Sequence, residues 1–417
     1  MILRGLVIVA IAMLLVSPIP AAAQVGTDTV LEWNAIMVTT VGGQNPFAQA
    51  RFAAITQLAV FEAVNSITGE YEPYLDPIDA PAGSSAEAAA AKAAHDVLVA
   101  YFPAAAASLD AALASSLAGI PDGASKDDGV AVGATAAAEL VALRAGDGSS
   151  PPAFYQPTST APGVWQTTPT CPAAGGILFQ WQNLRPFGVE STAQFRSDPP
   201  PSLTSREYTK DYAEVLEVGA SDSIARPADR AAVASLYAAL SAVGAWNPVA
   251  RALASAHPGS LTDHARALAL LNLAMSDGLA TSIETKYQYT LWRPETAIRA
   301  GDADGNDRTV GRVDFAPFIA TPCFPSYPSA HASASYAARS ILERIWGGGG
   351  HSMALSHPAL PGVVVPYASL KQITDDIDDA RIYGGIHFRF EQEAGALQGR
   401  RIGQFVFAHN LLSEVDE

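Results

Sequence analysis

The sequence predicts an all-α fold, and composition and patterning carry that prediction. The chain has 417 residues, of which 49% are apolar, and this is enough for a substantial core. Alanine dominates long stretches, and it has the highest intrinsic helix propensity. Alternating runs of β-branched residues, which indicate half-buried strands, are scarce. Helices should therefore far outnumber strands.

The overall charge narrows the classes of partner. The formal net charge is −16 and the pI is about 4.9. Nucleic acids and anionic membranes attract proteins with a surface excess of lysine and arginine, so neither is expected as the main partner. Any basic pocket must be local.

The first 23 residues have the pattern of a secretory signal peptide. Arg4 precedes an apolar run from Leu6 to Val16, a proline follows, and Ala21 and Ala23 supply small residues. We expect cleavage after Ala23 and export to the periplasm or the extracellular space. An uncleaved anchor is the alternative, although a span needs about 20 apolar residues. No later segment has the pattern of a membrane helix, so the mature chain is expected to lack one.

The only cysteines are Cys171 and Cys323. An oxidising compartment would allow a disulfide between them. The alternative is two separate thiols that pack as small apolar groups.

Apolar residues at helical spacing predict an N-terminal helical half over residues 24–147. Breaker residues separate its last two helices at Pro121 and Gly123, and the run AGDGSSPP over 145–152 ends the series. The expected helices are 46–66, 84–102, 105–118 and 126–145.

A long loop is expected over residues 148–205. It is rich in proline, serine, threonine and glycine, but it also carries Tyr155, Trp165, Trp181 and Phe187. Loops of this length in compact proteins are usually functional or disordered. The aromatic residues favour a cover over a pocket, and the alternative is that they only attach the loop to the core.

Helical patterning resumes in a C-terminal half, residues 206–417, and we expect the two halves to form packed bundles rather than separable modules. Proline at position 294 limits the longest helix. The expected helices are 206–218, 227–243, 245–256, 261–289, 331–346, 366–382 and 388–413.

The first of three segments with chemical potential runs from Lys286 to Pro294. Lys286 and Arg293 are seven residues apart, which is two turns along one helix face, so both side chains could converge on one anion. Taken alone, such a pair also fits a solvated helix face.

The second segment is Phe324-Pro-Ser-Tyr-Pro-Ser329-Ala330-His331, directly before a predicted helix. A stiff loop that leads into a helix N-terminus presents free N–H groups to an anion, and Ser329 can add its hydroxyl. His331 titrates near neutral pH and could act as general acid or base. The alternative is a serine cap followed by a structural histidine.

The third segment contains Arg381 and His387 on either side of Gly384-Gly385. The glycine pair should end the helix and allow a tight turn, so the two side chains can face one centre. A buried histidine at such a centre could attack phosphorus or bind vanadium.

Together the three segments supply what a tetrahedral oxyanion needs, and they resemble a known family. The motifs Lys-x6-Arg-Pro, Pro-Ser-x-His and Arg-x5-His, in this order, are similar to those of the vanadium-dependent haloperoxidases and the type 2 phosphatidic acid phosphatase superfamily. Residues 272–299 and the aromatic loop resemble an exported bacterial haloperoxidase-like branch, and the resemblance covers nearly the whole mature chain. It implies helical bundles with the pocket between helices.

The resemblance also implies roles for individual residues. His331 would be the acid–base group, and His387 would be the axial ligand of vanadate or the nucleophile that attacks phosphate. Phe324 resembles an aromatic residue of the chloride-oxidising branch and is the candidate halide-pocket residue. Vanadate or phosphate would be held by five residues: Lys286, Arg293, Ser329, Ala330 through its backbone amide, and Arg381.

Departures from the family pattern separate the possible activities. Ala380 and Glu391 stand where many phosphatase members have serine and aspartate, and Ala330 replaces the usual glycine. We expect a vanadate-dependent haloperoxidase that uses hydrogen peroxide to oxidise halide to hypohalous acid. The alternatives are an exported acid phosphatase that cleaves phosphomonoesters through a phosphohistidine, and a catalytically silent anion-binding protein.

Overall fold

The computed structural model describes residues 28–413, so the predicted signal peptide lies outside the described residues. The all-α prediction is confirmed, because helices dominate and the described residues add one two-stranded antiparallel sheet, β1 with β2. The elements are α1 Thr29–Val41, α2 Pro46–Thr68, α3 Ala86–Tyr101, α4 Ala106–Ala118, α5 Ala124–Leu143, α6 Arg206–Val218, α7 Ala228–Ala239, α8 Ala242–Ala256, α9 Leu261–Tyr289, α10 Pro294–Arg299, α11 Ala330–Trp346, β1 Gly349–Ser356, β2 Val364–Ser369, α12 Leu370–Tyr383 and α13 Arg389–His409.

The structure differs from the predicted elements at several points. Helix α1 was not predicted, and its sequence TVLEWNAIMVTTV is rich in β-branched residues, which lower helix propensity. Helix α12 begins at Leu370 rather than 366, because Ser369 accepts a hydrogen bond from the backbone N–H of Gln372 and so caps it. The preceding residues, 364–369, form β2 instead.

Helix α9 runs through the centre of the molecule. Ser260 and Asp263 form a capping box at its start, and nearly every residue from Thr262 to Tyr287 is buried. Its neighbours include α2 from the N-terminal part of the chain and α11 and α13 from the C-terminal part. A helix that is buried on all sides serves as a common support for the elements around it. The proposed domain boundaries themselves stay a prediction.

Helices α11 and α13 approach each other closely through glycines. A Cβ atom added at Gly395 would lie 2.5 Å from the backbone oxygen of Ser329, and one at Gly399 would lie 2.1 Å from that of Ser333. Side chains at these positions would therefore force the helices apart. This contact brings the start of α13 against the start of α11, where the second and third motifs lie.

The long loop is irregular, as predicted, apart from a 3-10 turn at Phe179–Asn183. The carboxylate of Asp277 accepts hydrogen bonds from the backbone N–H groups of Phe187, Gly188 and Val189 at 2.8, 2.7 and 3.0 Å. Cys171 and Cys323 form a disulfide, which resolves the alternative left open by the sequence. Trp165 and Trp181 are buried, so the loop is attached to the core at several points.

Within residues 28–413, no individual helix is both long and apolar enough to cross a bilayer. The pair α7 and α8 meets the length and composition criterion only when taken together, and it is bent by 98°.

Candidate active site

A cavity of about 290 Å³ lies where the three motifs meet. Five of the eight predicted site residues line it: Phe324, Ala330, His331, Arg381 and His387. The other three, Lys286, Arg293 and Ser329, are completely buried. Lys286 lies over the ring of Phe324, Arg293 is hydrogen-bonded to His387, and Ser329 directly precedes Ala330 in the chain.

Lys286 and Arg293 come together by a route that differs from the prediction. They do not share a helix face, because α9 ends at Tyr289, Thr290 adopts a left-handed conformation with φ 47°, and Arg293 caps α10. Both cationic groups instead lie over the ring of Phe324, at 5.4 Å for Lys286 Nζ and 5.0 Å for Arg293 Cζ. A turn, rather than the helical repeat, therefore aims the two cations at one place.

Backbone oxygens hold these two cations in position. Lys286 Nζ donates to the carbonyl oxygen of Ser326 at 2.6 Å and to that of Pro328, and in its protonated form it keeps one hydrogen for an anion. Arg293 Nε donates to the carbonyl oxygen of Phe324 at 2.9 Å, and its NH1 group donates to that of Ile386 at 3.0 Å. Carbonyl groups of the second motif therefore hold the side chains of the first motif in place.

The hydrogen bonds of His387 define its tautomer. Its Nδ1 lies 2.6 Å from Glu391 Oε2, and its Nε2 lies 3.1 Å from Arg293 NH1. Because arginine can only donate, Nε2 accepts, and the proton sits on Nδ1. Burial, together with Arg293 and Lys286, lowers the pKa of His387 well below its usual range. The ring is therefore neutral and directs a lone pair from Nε2 toward the cation cluster.

Glu391 holds the His387 ring in this orientation. Its Oε2 atom accepts from the Ser326 hydroxyl at 2.8 Å and from the backbone N–H of Phe388 at 2.9 Å, in addition to His387. Burial raises the pKa of Glu391 to about 7, and the hydrogen bond from Ser326 and the charge of Arg293 oppose that rise. Three donors on one oxygen are the environment of a carboxylate.

Ser329 and His331 occupy the first turn of α11. Ser329 is the N-cap, and its Oγ accepts weakly from the backbone N–H of Ala332 at 3.3 Å, so its own hydrogen can point elsewhere. Burial and the charge of Arg381 lower the pKa of His331 well below its usual range, while a hydrogen bond to the Leu240 backbone acts the other way. His331 is accordingly neutral in this cavity.

The cluster contains N–H groups without a partner. Arg293 NH2 and both Nε and NH2 of Arg381 are buried and make no hydrogen bond within residues 28–413. Burial is also the main reason that the pKa values of Arg293 and Arg381 fall to about 10, and it lowers that of Lys286. Buried N–H groups are normally paired, so a set of unpaired ones on converging cations is the donor arrangement of an anion site.

Sequence reasoning did not identify several residues of the site. Asn45 and Phe47, at the start of α2, and Ile177 and Leu178, from the long loop, line the cavity from distant parts of the chain. Their contribution depends on tertiary packing and leaves no local pattern. The sequence identifies Glu391 only as a departure from a motif. Its position four residues after His387 is a spacing at which the two side chains can contact each other, as they do here.

Comparisons with known proteins identify related domains and folds. A sequence family described as the VCPO second helical-bundle domain matches residues 266–413, which contain all three motifs. The structure of a bacterial vanadium-dependent iodoperoxidase aligns with a TM-score of 0.77 and 25% identity, over 93% of this chain and 97% of that one. The matched domain and the whole-chain alignment support membership of the vanadium haloperoxidase superfamily.

Other members of the superfamily share the fold at lower sequence identity. Holo-type and apo-type structures of bacterial vanadium-dependent chloroperoxidase align with TM-scores of 0.71 and 0.72 at 17% and 16% identity. The holo-type alignment covers 89% of this chain and 94% of that one, and the apo-type alignment covers 88% and 95%. Among curated proteins, no sequence match is found. The structural likeness extends well beyond the matched domain, into the N-terminal helices.

Proposed function

We propose that this protein is a vanadate-dependent haloperoxidase, which uses hydrogen peroxide to oxidise a halide to the hypohalous acid. The observation that carries the proposal is the set of unpaired, buried N–H groups on Arg293 and Arg381 beside the unprotonated Nε2 of His387, whose hydrogen-bond partner is Arg293 NH1. The alignment with an iodoperoxidase over nearly the whole of both chains supports it.

The residues that line the cavity and the buried residues next to it fit a tetrahedral oxyanion such as vanadate. Arg293, Arg381 and Lys286 would bind its oxygens, and Ser329 and the Ala330 amide would add hydrogen bonds at the positive end of α11. His387 would be the ligand to vanadium, because Glu391 keeps its Nε2 unprotonated. Bound vanadate would supply Lewis-acid activation of hydrogen peroxide without a change in its own oxidation state.

The chain itself controls protons and charge in this reaction. His331 is neutral and lines the cavity, so it can accept the proton that peroxide loses and return it later. The cations and the helix N-terminus would stabilise negative charge on oxygen without reorganising. Phe324 covers two of the cations and lines the cavity, which makes it the candidate wall of a halide site.

The experiment that tests this function is peroxide-dependent bromination of a phenol-type dye, with the apo protein and with the protein reconstituted with orthovanadate. We expect bromination only after reconstitution and its loss in His387→Ala. His409→Ala is the matched control, because His409 is exposed and lies far along α13 from His387. Bromination by the apo protein at the reconstituted rate would contradict the proposal.

The same experiment decides between the two reactions that the cage could support. Hydrolysis of p-nitrophenyl phosphate by the apo protein, inhibited by vanadate and not accompanied by any bromination, would favour an exported acid phosphatase that acts through a phosphohistidine at His387. Export itself is a proposal that rests on the pattern of the first 23 residues.

A further inference from the structure

A second cavity of about 660 Å³ adjoins the first and opens to solvent. The two cavities share three wall residues, Asn45, Ile177 and Leu178. A volume of this size matches that of sites for organic small molecules, which run from about 300 to about 1,000 Å³. This outer pocket contains none of the residues assigned to the anion cage.

Four aromatic side chains form part of the wall of the outer pocket. Phe52, Tyr101, Phe154 and Trp181 all line it, and Phe154 is 45% exposed although it is a large apolar residue. Aromatic rings bind other rings by offset or edge-to-face contacts. An exposed phenylalanine at the rim of an aromatic pocket therefore indicates a planar ligand.

The charges of the outer pocket favour an acidic ligand. Arg51 and Arg144 both line it and share one buried carboxylate, that of Asp147, which leaves one net positive charge. Arg51 lies over the rings of Phe52 and Tyr101 and donates from Nε to Asp147 and from NH2 to the carbonyl oxygen of Arg144, so among the described residues its NH1 group has no hydrogen-bond partner. The chain as a whole carries a charge of −16, and a local positive site is therefore unusual on it.

A line of rings connects the outer pocket to the cage. Trp181 contacts Phe47 edge to face with centroids 5.8 Å apart, and Phe47 contacts Phe324 in the same way at 5.8 Å. Phe324 in turn lies over Lys286 and Arg293. The aromatic wall is continuous from the outer pocket to the cations.

The backbone between the two cavities is strained. Leu178 has φ 65°, a left-handed conformation that an ordinary side chain disfavours by roughly 1–2 kcal/mol. Both neighbouring residues are hydrogen-bonded to other segments of the chain. The Ile177 N–H donates to the carbonyl oxygen of Cys323 at 2.9 Å, and the Phe179 N–H donates to that of Ala153 at 3.2 Å. Strain of this kind tends to occur at ligand sites.

We propose that the outer pocket binds the organic substrate of the enzyme, an electron-rich aromatic compound with an acidic group, whose ring packs against Phe154 and Trp181 and whose acid group pairs with Arg51. This inference rests on the proposed haloperoxidase function. Hypohalous acid from the inner cavity would then meet a ring that is already held beside it. The ring carbon bonds to halogen, the oxygen–halogen bond breaks, and the ring proton leaves with the hydroxide as water. Carbon is oxidised and halogen is reduced.

The test is calorimetric binding of 6-hydroxy-2-naphthoate to the protein without vanadate and with saturating phosphate, which blocks the anion cage. We expect binding that weakens about tenfold for 2-naphthol, which lacks the carboxylate, and at least about tenfold in Phe154→Ala. Ala145→Trp fills the pocket at an exposed position and should abolish binding. Leu397→Ala, at an exposed site on α13, is the control and should bind as wild type does.

The outcomes separate this inference from the proposed function. If Phe154→Ala and Ala145→Trp both bind the naphthoate with wild-type affinity, or if added phosphate abolishes binding, then the outer pocket is not the substrate site. Triiodide formation from iodide and peroxide, measured without an organic acceptor, reports halide oxidation alone. If the reconstituted protein forms no triiodide but binds the naphthoate as expected, then the proposed function is wrong and the acidic aromatic site stands.

Discussion

Replacing Glu391 with glutamine should weaken vanadate binding while leaving the protein folded. An amide oxygen can take the place of Oε2 and keep the contacts with Ser326, Phe388 and His387. Hydrogen bonds to a charged group contribute about 1 kcal/mol more than neutral ones, so three of them amount to roughly 3 kcal/mol of lost stability. Relief of the buried charge offsets part of this, because burial has already raised the pKa of Glu391 to about 7.

Vanadate affinity should fall about 10- to 100-fold, as is typical when the hydrogen-bond partner of a metal-binding histidine is removed. Calorimetric titration with orthovanadate measures this directly. Glu393→Gln makes the same chemical change at an exposed position two residues away and is the control. A folded Glu391→Gln protein that binds vanadate as tightly as Glu393→Gln would show that Glu391 does not orient His387.

Three further changes test other parts of the structure. Arg381→Met removes buried N–H groups that lack partners, so the unfolding free energy of the apo protein should rise by about 1–3 kcal/mol, while vanadate affinity falls roughly 30-fold or more. Thermal unfolding and calorimetry measure the two effects, and a destabilised apo protein would contradict this expectation. Burial raises the pKa of Glu62 from 4.5 to about 7, so ionisation destabilises the native state by up to about 3 kcal/mol as the pH rises through that range. Glu62→Gln should remove this dependence in urea unfolding at about pH 5 and about pH 8, and an unaltered difference between the two would refute it. Replacing both Cys171 and Cys323 with serine opens a link between positions 152 residues apart, which should lower the unfolding free energy by about 3–5 kcal/mol in denaturant titration, and equal stability would rule that contribution out.

The helices were largely predictable because their apolar spacing and their caps are local signals. Ser260 with Asp263, and Gly384 with Gly385, mark ends that the structure places within a residue or two of the expected positions. Helix α1 and the β1–β2 sheet were missed because the first has low intrinsic helix propensity and the second is a short pairing without a regular alternation.

The candidate site was predictable as a set of residues but not as an arrangement. Lys286 and Arg293 were expected on one helix face, and the left-handed Thr290 together with the carbonyl groups of 324–328 brings them together instead. The wall supplied by Phe47 and Leu178 comes from residues more than 100 positions away from the motifs. Contacts of that range depend on packing, which a pattern in one sequence does not contain.

We propose that His387 and the surrounding cations hold the vanadate that makes halide oxidation possible. The most direct measurement titrates orthovanadate into the apo protein and follows two signals, the heat of binding and the rate of peroxide-dependent bromide oxidation. We predict that both saturate at the same vanadate concentration and that His387→Ala loses both while remaining folded. Vanadate binding without any halide oxidation, or oxidation that persists in His387→Ala, would contradict the account.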